Sequence, residues 1–278
     1  MQNVKRSMGM LCAIAMFVCL LFVPVQKAEA ATAGMTTLKV NKTYTSYDIT
    51  GDGKKDTIKI TPQKVKGEYK YTSLVISVNG KKTTLKGHYY SVTTKLITLS
   101  NGKKYLWVRG QSDNDDDPFQ ALYKYSSGQM KKALDFSSKI KKFGNHTGTI
   151  VTKVSGNKIY VEQFLMSAPL GSVGFNYTYE YKSGSFSRTS NTASIKYVSC
   201  LNGGYGTLKK SKILYTSSSC TKKYKTLAKS TKVKPLKIYM NGTTISVYVK
   251  TKSGSTGWLK CSRSFSNGTL LKECYYAG

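Results

Sequence analysis

The chain has few acidic residues, few arginines and almost no histidine. Its 278 residues include 44 lysines and arginines against 13 aspartates and glutamates, which gives a formal net charge of +31. Two residues are histidine, and neither a Gly-x-Ser-x-Gly nor a His-Glu-x-x-His motif is present. The sequence thus lacks the groups from which common hydrolase and metalloprotease sites are built, and we expect a protein without catalytic activity.

The basic charge comes almost entirely from lysine, since the four arginines are Arg6, Arg109, Arg188 and Arg263. A lysine ammonium is a compact point charge without the planar fork that reads base edges. The charge therefore predicts diffuse attraction to a polyanion, such as an anionic cell-wall polymer, rather than sequence-specific binding to nucleic acid. A lysine-coated surface that only keeps the protein soluble explains the composition equally well.

The first 30 residues have the pattern of a secretory signal peptide. Lys5 and Arg6 precede an apolar run over residues 8–25, and small residues stand at 28 and 30. No later stretch approaches the roughly 18 consecutive apolar residues of a membrane helix. We therefore expect a secreted protein, extracellular or noncovalently associated with the cell wall, without an integral membrane anchor.

Four cysteines follow the signal peptide, and all lie in the last part of the chain: Cys200, Cys220, Cys261 and Cys274. An even number in an exported protein predicts two disulfides, with three pairings possible. A zinc site is the less favoured alternative, because the spacings contain no close cysteine pair.

Between these features the sequence alternates strand-like segments with turns. Asn79-Gly80 and Asn101-Gly102 stand between runs rich in β-branched and aromatic residues, which is typical of β-hairpins. The pattern predicts an all-β protein with an N-terminal antiparallel β-meander domain over residues 31–188. A small polar segment over 189–196 indicates a linker, and residues 197–278 form a second, disulfide-stapled domain.

An acidic loop near the start of the first domain has the spacing of a calcium loop. Side-chain oxygens stand at Asp48, Thr50, Asp52 and Asp56, with Gly53 at the sharp turn. The loop resembles the Asp-x-Asp-x-Asp-Gly loop of FG-GAP and VCBS-type repeats. That resemblance implies a structural calcium ion, which the carbonyl of Lys54 also binds, and a propeller-like first domain. The alternative is an Asx-rich turn without metal.

A second acidic cluster contains Asp113, Asp115, Asp116 and Asp117. Adjacent like charges repel, so a cation bound there would relieve a cost. A solvated loop is an equally good explanation, and paired carboxylates that hydrolyse a glycan are a third.

The C-terminal segments at 214–217, 224–227, 232–236 and 247–250, closed by Gly257-Trp258-Leu259, resemble a bacterial SH3-like domain over about residues 207–262. The resemblance implies a small barrel that binds peptidoglycan or another surface ligand, as in secreted proteins of Gram-positive bacteria. Tyr215, Tyr248 and Trp258 are the candidate ligand contacts, although a core position is the more ordinary role for Trp258.

Together these features favour a secreted, noncatalytic binding protein of the cell surface or cell wall. Its cationic surface would hold anionic wall polymer, and its SH3-like domain would contact peptidoglycan. Two alternatives remain: a secreted glycan hydrolase that uses the acidic loop 113–117, and a protein-binding adhesion module.

Overall fold

The structure, a computed structural model, describes residues 31–113 and 117–276. The predicted signal peptide, Asp115 and Asp116 lie outside these residues. The described chain is built from antiparallel β-sheets, so the all-β prediction is confirmed. Helix is limited there to short 3-10 turns at Ser137–Lys139, Lys141–Phe143, Ser199–Leu201 and Phe265–Asn267. None of these turns has the length and apolar character needed to cross a membrane.

The first half of the chain forms two sheets. Its strands are β1 (Gly34–Thr37), β2 (Thr43–Tyr47), β3 (Asp56–Gln63), β4 (Tyr71–Val78), β5 (Lys81–Tyr89), β6 (Ser91–Thr98), β7 (Lys104–Gln111), β8 (Phe119–Ser126) and β9 (Gln129–Asp135). One sheet has the order β2-β3-β4-β5 and the other the order β1-β6-β7-β8-β9. Both sheets end in edge strands, so these strands do not close into a propeller.

The second half of the chain forms one large sheet. Its strands are β10 (Gly144–Ser155), β11 (Lys158–Ser167), β12 (Gly171–Lys182), β13 (Ser185–Arg188), β14 (Thr192–Val198), β15 (Gly206–Thr207), β16 (Lys212–Tyr215), β17 (Lys223–Leu227), β18 (Lys232–Asn241), β19 (Thr244–Thr251) and β20 (Thr256–Cys261). The main order is β10-β11-β12-β14-β18-β19-β20-β16-β17. Strands β16 and β17 thus lie beyond β20, although they precede β18 in sequence.

The predicted hairpins are present, and the residues of several of their turns have positive φ. Asn79 and Gly80, which join β4 to β5, have φ of 50° and 79°. Such angles match the twist of the flanking strands and cost little for Asn and Gly. Ser127-Gly128 and Ser183-Gly184 form the corresponding turns after β8 and β12.

The five-stranded sheet is covered on both faces. Leu106 and Val108 of β7 lie in one core with Ile58 and Ile76 of the four-stranded sheet. Trp107, between them in sequence, points to the opposite face and lies in the core shared with the large sheet. Each such side chain contributes about 1.5–3 kcal/mol when fully buried. The fold is therefore a stack of three β layers, with the five-stranded sheet in the middle.

The predicted linker over residues 189–196 is wrong for its second half. Thr192–Val198 is strand β14, which pairs with β12 through Phe175 and Ile195 and with β18 through Ala193 and Ile238. Backbone hydrogen bonds to two neighbouring strands need no apolar periodicity, so small polar residues form a strand here. The chain from Ala31 onwards consequently packs as one compact unit.

One of the two predicted disulfides is present. Cys200 joins Cys274 and ties the turn Ser199–Leu201 to the C-terminal segment. Cys220 and Cys261 are free thiols, so the second predicted disulfide is not formed in this structure. Each of these two thiols instead faces a nearby carbonyl, that of Ser218 for Cys220 and that of Leu259 for Cys261.

Candidate functional site

The predicted calcium loop is held by its own carboxylates. Asp48 accepts hydrogen bonds from the backbone N–H groups of Gly51 and Gly53, at 2.6 and 3.0 Å. Burial alone raises the pKa of Asp48, but these N–H groups, together with Lys104 and the Thr50 hydroxyl, outweigh it and lower that pKa below its ordinary value. Asp52 is exposed and accepts from the N–H of Lys54. Gly51 and Gly53 thus donate hydrogen bonds to the Asp48 carboxylate and also allow the tight turn.

Asp56 is the buried anchor of this loop, with 1% of its surface exposed. Its Oδ2 accepts from the N–H groups of Ile49 and Thr50, and its Oδ1 accepts from Asn79 Nδ2 at 2.6 Å. Asn79 in turn accepts from the N–H of Thr57 and starts the β4–β5 turn. Asp56 therefore joins the loop to the neighbouring hairpin.

The oxygens of this loop are also the predicted calcium ligands. Within residues 31–113 and 117–276, no three carboxylate, imidazole or thiol groups converge as ligands of one ion. Asp48 accepts from N–H groups of the loop, yet a carboxylate has about four lone-pair sites, so Asp48 keeps acceptor capacity for a cation in its present position. The geometry is that of an Asx-rich turn, and calcium binding stays a prediction.

The two described carboxylates of the second acidic cluster, Asp113 and Asp117, lie in separate ion pairs. Asp113 pairs with Lys70 at 2.7 Å and accepts from the hydroxyl of Tyr90. The Lys70 ammonium and the Tyr90 hydroxyl lower the pKa of Asp113. Asp117 is buried and pairs with Arg109 at 2.5 Å. Asp113 and Asp117 therefore each have a cationic partner of their own.

Tyr215, Tyr248 and Trp258, the three predicted ligand contacts, come together on one face of the large sheet. They lie opposite one another on β16, β19 and β20, because Tyr248 pairs with Trp258 and Trp258 pairs with Tyr215. Residues paired across neighbouring strands point to the same face. Lys237 on β18 and Lys223 on β17 extend this row at its two ends. We call the surface around the row the aromatic–lysine face.

Trp258 is buried, but it does not belong to the hydrophobic cluster that contains its neighbour Leu259. It is 9% exposed, because the rings of Tyr248 and Tyr239 cover it, with centroids at 5.2 and 6.3 Å. The two tyrosines are themselves half-buried. Trp258 is thus a buried residue that two half-buried tyrosine rings cover.

Lysines surround these rings. The ammonium of Lys237 lies over the Tyr248 ring at 5.7 Å. In the adjacent row Lys234 and Lys250 stand directly opposite each other across β18 and β19. Like charges in this position destabilise a sheet, so the pair carries a cost that an anion bound between the two ammonium groups would relieve.

One feature of the sequence that indicates this cationic surface is a long stretch without acidic residues. No aspartate or glutamate occurs between Glu180 and Glu273, although this stretch contains all of β14–β20. The lysines of the aromatic–lysine face consequently have no carboxylate neighbour on their own strands. This absence is readable from the sequence, whereas the grouping of the three aromatic residues depends on the strand order.

Comparison with known proteins identifies no relative, since no family model, curated protein or solved structure matches the chain. The fold and the surface described above are therefore the basis for assigning a function.

Proposed function

We propose that this protein is a secreted, noncatalytic binding protein of the bacterial cell surface, and that it holds anionic cell-wall polymer. The observation that carries the proposal is the aromatic–lysine face. Its lysines supply attraction to a polyanion, and its tyrosines supply rigid contact area at a low cost in side-chain entropy. The strands of this face are also those that resemble the SH3-like domain, so contact with peptidoglycan is part of the same proposal.

The charge of the rest of the surface supports this function. Among the described residues, ion pairs engage Lys70, Arg109, Lys132, Lys158 and Lys196. The many other lysines leave a positive field that raises the local concentration of a polyanion and speeds its association. An acid–base function for the acidic loop is less well supported, because Asp113 and Asp117 are each held in an ion pair.

A sedimentation experiment tests the proposal. The purified protein without its predicted signal peptide is mixed with intact Gram-positive cell walls and with walls stripped of their anionic polymer, at about 0.15 M and 0.5 M salt. We expect it to pellet with intact walls at the lower salt, less with stripped walls, and less at the higher salt, where the Debye length is shorter. Protein that stays in the supernatant with intact walls at 0.15 M salt contradicts the proposal.

A further inference from the structure

We propose that a cleft beside β10 binds a single phosphate or carboxylate group of a ligand. We call it the histidine cleft, and it is lined by Asp117, Ser137, Lys141, Lys142, Asn145 and His146. It lies in a different part of the large sheet from the aromatic–lysine face, so this inference does not depend on the function proposed above. The cleft has a volume of about 720 Å³, within the range of about 300–1,000 Å³ typical of small-molecule sites.

A β-bulge aims His146 into this cleft. The pairing of β10 with β11 shifts register between Asn145 and Gly148, and His146 lies in the shifted segment. Its backbone φ is 50°, in the left-handed region that costs energy for residues other than glycine. Bulges re-aim side chains, and strained residues concentrate at binding sites.

Close packing and side-chain hydrogen bonds fix the backbone next to the bulge. At Gly148 a Cβ atom would lie 1.8 Å from Cζ of Phe164, so this position requires glycine. The buried Gln120 donates from Nε2 to the carbonyl of Thr147 at 2.7 Å and to its hydroxyl at 3.1 Å. Because the backbone on the C-terminal side of His146 is fixed by these contacts, the imidazole is positioned before any ligand arrives.

The described side chains of the cleft favour an anion. Lys141 and Lys142, in the 3-10 turn Lys141–Phe143, are exposed, and no carboxylate of the described ranges pairs with either. The charge of Asp117 is matched by Arg109. The Nδ1 atom of His146 is buried and has no hydrogen-bond partner in the structure. Lys141, Lys142 and the imidazole of His146 thus line one cleft, and ammonium and imidazole N–H groups are donors to the oxygens of a phosphate or carboxylate.

Histidine NMR provides a local measurement, because His88 and His146 are the two histidines of the chain. The probes are inorganic phosphate, glycerol 3-phosphate and acetate, each added to the protein at constant pH and ionic strength. We expect saturable shifts of the His146 ring signals, while the exposed His88 on β5 does not move. Phosphate and phosphoester shifting His146 more than acetate identifies a phosphate site, and the reverse order identifies a carboxylate site.

Two variants make the test specific. Lys141→Gln with Lys142→Gln should weaken binding roughly tenfold or more, about 1.4 kcal/mol per factor of ten, whereas Lys81→Gln with Lys82→Gln removes the same charge from β5 and should leave the shifts unchanged. His146→Asn assigns the signals and keeps a residue that tolerates positive φ. The proposal is overturned if neither histidine responds, if both move together, or if both double variants titrate like the parent protein.

Discussion

At the scale of single residues, several of the described carboxylates fix backbone. Asp56 accepts from two backbone N–H groups and from Asn79. Glu273 accepts from the N–H and the hydroxyl of Thr207, which lower its pKa although its partial burial opposes this. A lowered pKa in the folded state adds stability above the unfolded pKa of about 4.3, and this stability is lost as the pH falls through the folded value. Asp56 and Glu273 are thus structural acceptors.

Asp56→Ala should be among the most destabilising single changes in the first half of the chain. It leaves the N–H groups of Ile49 and Thr50 and the amide of Asn79 without their acceptor, at about 1–3 kcal/mol for a buried group of this kind. We expect a loss of about 3 kcal/mol in urea unfolding with a chelator present. Asp52→Ala, at an exposed position, should change the free energy of unfolding by less than about 0.5 kcal/mol. Equal effects of the two changes would contradict this role of Asp56.

The parent protein and Asp52→Ala together test the calcium prediction. A ligand that binds only the folded state raises its stability, so bound calcium would raise the unfolding midpoint of the parent protein and not that of Asp52→Ala. An unchanged midpoint and no heat of binding for the parent protein would show that the loop is an Asx-rich turn alone.

At the scale of elements, the C-terminal strands contain one disulfide and two free thiols, a buried one at Cys220 and a half-buried one at Cys261. Cys200 and Cys274 are 74 residues apart in sequence, and a disulfide across a loop of that length contributes about 4 kcal/mol in the chain-entropy account. Cys261, near the end of the sheet strand β20, has its pKa raised to about 12 by burial. Burial likewise raises the pKa of the Cys220 thiol.

Thiol titration distinguishes this arrangement from two disulfides. In denaturant and without reductant, the protein lacking its signal peptide should react with two equivalents of a thiol reagent per chain. In the folded state at pH 8 the reaction should be slower by at least tenfold, since raised pKa values keep both thiols protonated and the thiolate is the nucleophile. No reactive thiol in denaturant would instead show that Cys220 and Cys261 are paired.

The hairpins were predictable at this scale and the sheet assembly was not. Asn and Gly readily adopt the positive φ of a tight hairpin turn, so the turn at Asn79-Gly80 can be predicted from these two residues alone. The strand at Thr192–Val198 was missed because its pairing partners, β12 and β18, supply what its small polar side chains do not. The meeting of Tyr215 with Trp258 requires β16 to lie beside β20, a contact between strands far apart in sequence. Local patterns do not encode such an order.

At the scale of the whole molecule, the three β layers present their lysines on a rigid scaffold. Both hydrophobic cores lie against the five-stranded sheet, so the large sheet packs with one face and leaves the aromatic–lysine face on the other. Net charge alone produces nonspecific attraction. Lysines fixed in rows beside tyrosines add a defined binding surface, and this distinguishes the proposed function from a surface that is merely cationic.

Two charge-matched variants test that distinction most directly. Lys234→Gln, Lys237→Gln and Lys250→Gln remove three charges from the aromatic–lysine face, and Lys59→Gln, Lys81→Gln and Lys82→Gln remove three exposed charges from the four-stranded sheet. The affinity of each protein for purified anionic wall polymer is measured by calorimetry at about 0.15 M salt. We predict at least tenfold weaker binding for the first variant, which corresponds to about 1.4 kcal/mol of binding free energy. For the second variant we predict less than about threefold weaker binding. Equal loss in both variants, or none in the first, would contradict a binding site on this face.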